Sequence, residues 1–131
     1  MGAALAGSLR LVQPGGSLVV IEPLAEGNFF EAMRPIDDET EIRGHALDAL
    51  VAFAESGGAT LETDERYDIP TRFEGLDDFL DYLAKAEPAR ANLIATERDR
   101  VAEAFERGAA TDDDGTRILS QPMRMWVFRK A

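Results

Sequence analysis

The chain has 131 residues, with 25 acidic against 14 basic side chains and a net charge of −11. That length fits one domain with a modest core, and the acidic balance excludes a nucleic-acid surface, whose affinity depends on Lys and Arg displacing counterions. The absence of cysteine excludes disulfides, thiolate zinc sites and a cysteine nucleophile and fits a reducing cytoplasm. Residues 1–12 are too short to span a bilayer and lack the basic start of a signal peptide, so a soluble cytoplasmic protein without a membrane partner is expected.

In chain order, Ala3 to Val12 carries Leu5, Leu9 and Val12 at helical spacing and stops at Pro14-Gly15-Gly16, which reads as the last turns of a helix. Ser17 to Glu22 follows as a strand. Its unbroken Leu18-Val19-Val20-Ile21 run predicts burial on both faces. Pro23 to Ile36, with Gly27, Asn28, Phe29 and Phe30, is long for a connection and reads as a functional loop. Asp38 and Glu41 have capping-box spacing at the start of a helix whose inward face is Ile42, Ala46, Leu50 and Phe53, stopped by Gly57-Gly58. A strand over Thr60 to Tyr67 is predicted to break at Ile69-Pro70 and to resume around Thr71 to Phe73. A short helix from Leu76, a second from Pro88 to Gly108, an acidic turn at Asp112-Asp113-Asp114-Gly115 and a last strand over Met123 to Phe128, entered through Pro122, complete the chain.

The residues offer few catalytic constellations. Gly15-Gly16 precedes its strand and Gly57-Gly58 lies between a helix and a strand, so neither has the strand-turn-helix placement of a phosphate loop. His45 stands alone and reads as a solvated helix-face residue, and no serine has nucleophile-elbow surroundings. Glu22 differs from the other carboxylates. It closes an apolar strand at its C-terminal end, where open α/β sheets place ligands, although such a carboxylate can equally cap local backbone.

The segment "LRLVQPGGSLVVIEP" resembles the entry to the fifth strand of class I S-adenosylmethionine-dependent methyltransferases, and "GTRILSQPMRMWVFRK" is similar to their closing seventh strand. The order of elements between the two agrees with that family. The resemblance implies an α/β fold: a partial Rossmann-like sheet made of the C-terminal strands, the last one antiparallel between the other two, with flanking helices. Residues 1–131 would form a single partial domain lacking the N-terminal half that holds S-adenosylmethionine, so cofactor binding by this chain alone is not expected. Glu22, Asn28, Phe29 and Phe30 correspond to the region that approaches the methyl acceptor in relatives. Three functions stay open: the C-terminal portion of a methyltransferase that is not catalytic alone, a non-catalytic dimeric binding or assembly module derived from that fold, or an unrelated small α/β domain. The resemblance also leaves one edge of the Leu18 to Ile21 strand bare. That edge is expected to pair with a second copy in a homodimer, or with a missing N-terminal half.

Overall fold

The computed structural model describes all 131 residues as a mixed α/β chain of five α-helices and four strands. In order these are α1 (Gly2–Leu11), β1 (Ser17–Pro23), α2 (Asn28–Met33), α3 (Thr40–Glu55), β2 (Thr60–Phe73), α4 (Leu76–Ala86), a 3-10 turn (Pro88–Arg90), α5 (Ala91–Gly108), β3 (Ala110–Thr111) and β4 (Arg117–Arg129). They divide into two compact units, and β2 and β4 each pass from one to the other.

The first unit comprises Met1–Leu24, Thr40–Tyr67 and Met123–Ala131. Its sheet has the order β1-β4-β2, and β4 runs antiparallel to β1 from Ser17↔Arg129 to Pro23↔Met123. Successive strand side chains point to opposite faces, so Leu18 and Val20 share a face with Trp126 and Phe128. There they pack with Leu5 of α1 and with Leu47, Leu50 and Phe53 of α3, and Phe53 meets Phe128 edge to face at 4.9 Å. Burying each such side chain contributes about 1.5–3 kcal/mol, which is what holds two short helices on a three-strand surface.

Two expectations are corrected here. The inward stripe of α3 runs through Leu47, Leu50, Phe53 and Ala54, whereas Ile42 in the first turn is 68% exposed. The β1 run is covered on one face only, because Val19 and Ile21, on the face opposite α3, are 53% and 47% exposed. An unbroken apolar run tells that both faces tolerate burial; it does not tell that this chain supplies both covers.

The second unit comprises Ala25–Glu39 and Asp68–Pro122. Its core joins Phe30, Ala32 and Met33 of α2 to Phe79, Leu80 and Leu83 of α4, Val101 and Phe105 of α5, and Leu119 of β4. The acidic turn becomes a hairpin: β3 pairs with Arg117 and Ile118, Asp112 N–H donates to Thr116 O at 2.8 Å, and Gly115 supplies the positive φ of 85°. Arg90, nearly enclosed, donates to Asp37 at 2.9 Å and to Leu83 O at 3.3 Å.

Both proline expectations also change. β2 runs unbroken through Pro70, and β2 is an edge strand, the position in a sheet where proline is tolerated. β4 starts at Arg117 and carries Pro122 internally; its register with β1 ends at Pro23↔Met123, so residue 122 owes that strand no donor.

Candidate functional site

Glu22 lies on the same face as Leu18 and Val20, half-buried at the C-terminal end of β1. Loss of water raises its carboxyl above the ordinary glutamate value, and the charge of Arg43, at the start of α3, pulls it back in part. Arg43 also donates to Leu24 O at 3.0 Å, tying the start of α3 to the end of β1. The register puts Arg124 opposite Glu22, but the guanidinium turns to Asp64 of β2 in a two-pronged pair, 2.7 Å on each side, and stacks over the Trp126 ring at 4.7 Å. That pair holds Asp64 below the ordinary aspartate value. Glu22 therefore faces one cation rather than two, in the one position of the first unit where a half-buried carboxylate is held toward its neutral form.

Asn28, Phe29 and Phe30 open α2 in the second unit, where the sequence predicts loop. Asn28 bridges two elements: Nδ2 donates to Gly108 O at 2.9 Å, and Oδ1 accepts from Ser120 N–H at 2.6 Å. The first bond caps a carbonyl at the C-terminus of α5 that has no helical partner. Phe30 is 1% exposed in the core. Phe29, partly buried, meets Phe79 edge to face at 5.4 Å and Tyr82 at 6.0 Å. Of the four residues named from sequence, Glu22 stands with Arg43, and the other three stand together on α2. Arg43, Asp64 and Arg124 escaped the sequence reading. The alignment of Leu18 and Val20 with Trp126 and Phe128 fixes the register and so finds Arg124 opposite Glu22; Arg43 and Asp64 come from α3 and β2, which that register does not reach.

The glycines do not make a cradle for a methyl donor. Gly27, which follows β1, has φ 95°, and the space a Cβ would take there is filled by Pro122 Cδ. Gly75, between β2 and α4, has open space around it but is a single residue, and Asp77 and Asp78 occupy the first turn behind it. A groove of about 600 Å³ between α2 and α5 carries Arg34, Arg100 and Arg107, each already matched by Glu31, Glu97 or Glu103. A second groove, about 500 Å³ between α1 and α3, is lined by small and apolar residues such as Ala6, Ala49 and Phe53. No cluster of three or more metal-ligating side chains occurs, His45 lies exposed 4.0 Å from Glu41, and no helix is long and apolar enough to cross a membrane.

No family model matches the sequence, and no curated protein matches it. Among solved structures, the chain is similar to a "putative methyltransferase" of Bacillus halodurans, with a TM-score of 0.48 and 14% identity over 98% of this chain. The match spans 57% of that protein's chain.

Proposed function

We propose that this chain is the C-terminal portion of an S-adenosylmethionine-dependent methyltransferase, supplying the acceptor side of a site whose donor-binding side comes from another segment. The observation that carries the reading is the place of β4: the last strand of the chain lies between β1 and β2 and runs antiparallel to β1. A chain that simply added strands in order would leave its last strand at an edge. Here the strand sequence is closed by insertion, after a helix–strand–helix–strand–helix series that agrees with the sequence resemblance.

Within this reading Glu22 orients the acceptor or accepts its proton, because burial keeps its carboxyl poised toward protonation while Arg43 limits the shift. Phe29 supplies apolar wall. Asn28 and Phe30 act through α2, the first by its two hydrogen bonds and the second from the core. Transfer requires a held donor before any positioning of the acceptor counts.

The test begins with the DNA upstream of Met1, read for an in-frame or adjacent segment encoding a strand followed by a glycine-rich loop. Co-expressed with that segment, the chain is expected to bind S-adenosylmethionine in titration calorimetry, with no saturable binding by the chain alone. Equal binding by the chain alone, or the absence of such a segment, overturns the proposal.

A further inference from the structure

We propose that β1 pairs with β1 of a second copy of this chain, antiparallel about a two-fold axis through Val20. The inference concerns the chain on its own: in the methyltransferase reading the same β1 edge takes the donor-binding segment, which would displace the second copy, and the mass of the chain alone tests the pairing separately.

The directions of the backbone groups follow from two bonds. Lys130 N–H donates to the Gly16 carbonyl while Gly16 N–H turns back to Gln13 O, both at 2.9 Å, so it is the carbonyl of position 16 that faces β4. Bonding direction alternates along a strand, so Leu18, Val20 and Glu22 also address β4, while Ser17, Val19, Ile21 and Pro23 address the outside. β1 has no other neighbour in the sheet. Three N–H groups and four carbonyls are thus presented along one edge.

A two-fold axis through Val20 satisfies this edge with itself. Val19 meets the partner's Ile21 and exchanges both bonds, and Ser17 N–H reaches the partner's Pro23 carbonyl. Pro23, which has no N–H to give, falls at the end of the ladder. On the exposed face the side-chain pairs are Val19 with Ile21, and on the other face Leu18 meets Glu22; no like charges oppose each other. A register centred on Glu22 would set two carboxylates face to face and shorten the ladder, and like charges directly opposite are destabilising.

The two edges of the sheet contrast. β2, at the far edge, carries Asp64, Glu65, Arg66, Asp68 and Pro70, the charges and proline that prevent edge pairing. The middle of β1 is Leu18-Val19-Val20-Ile21, with none of these, and Val19 and Ile21 lie about half exposed. The unprotected edge fits an isologous partner, which closes at two copies.

The test uses the whole chain. Light scattering across a dilution series is expected to give twice the chain mass of 14.3 kDa, falling to that mass on dilution. Because the chain has no cysteine, a single Val20→Cys substitution reports the axis directly. Facing residues of a pair without mutual hydrogen bonds sit about 4.5 Å apart at Cα, within disulfide range, so Val20→Cys is expected to cross-link on mild oxidation. Val19→Cys, whose mate is offset along the strand, is not. Should Val20→Cys disturb folding, a charge pair on the exposed face replaces it: Val19→Lys with Ile21→Lys is expected to give the monomer mass, and Val19→Lys with Ile21→Glu to restore the doubled mass. A wild-type monomer at every concentration, cross-linking of Val19→Cys as fast as Val20→Cys, or equal masses for the two charged variants would each overturn the pairing.

Discussion

Glu22 and Asp64 are two carboxylates of one sheet with opposite pH behaviour. The Glu22 carboxyl is raised by burial, so its contribution to stability is full below the ordinary glutamate value and is lost as pH rises through the folded value. Replacing it with Gln is therefore expected to raise the urea midpoint at pH 7, with the gain gone by about pH 4. The same variant in an assembled enzyme is expected to be stable and slow, which separates a chemical role from a structural one. Asp64 is lowered by its hydrogen bonds from Arg124, so its contribution is present above the ordinary aspartate value and is lost as pH falls through the folded one. Asp64→Asn is expected to cost up to about 1 kcal/mol at pH 7, since the pair is partly exposed, and nothing in strong acid. Parallel urea titrations at both pH extremes check the two signs.

At the scale of elements, α2 shows what the sequence conceals. Six residues give too short a span for a 3.6-residue period to emerge, and the flanking Gly27 and Pro35 read as loop. What makes the helix is tertiary: Phe30 and Met33 in the core, and Asn28 bonded to the end of α5 and to β4. Asn28→Ala leaves a carbonyl and an amide without partners, and a loss of about 1–3 kcal/mol in thermal or urea unfolding is expected. Gly27→Ala demands a left-handed backbone and a Cβ inside Pro122, so a loss of about 2 kcal/mol is expected there. A loss below about 0.5 kcal/mol at both positions would mean that α2 is not held this way. The longer elements were legible because their stripes are long enough to count, as in α4 with Phe79, Leu80 and Leu83. The proline breaks were misread for one reason: whether Pro70 interrupts a strand depends on its being at an edge, and that is a fact of the sheet, not of the neighbouring residues.

For the whole molecule, the order of the longer elements was legible and the covering of β1 was not. Periodicity reports how a segment can be buried, and Val19 and Ile21 show that the chain buries only one side of it. The site was legible as far as Glu22; its surroundings needed the register for Arg124 and the packing of α3 on the sheet for Arg43. The functional reading rests on β4 lying inside the sheet, and nuclear Overhauser spectroscopy of the labelled chain tests that claim most directly. The pairs Val19↔Val127 and Ile21↔Met125 fall where strands approach most closely, so strong cross-peaks between their α-protons are predicted. Absence of both, with α-proton cross-peaks from β1 to β2 in their place, would put β4 outside and contradict the account.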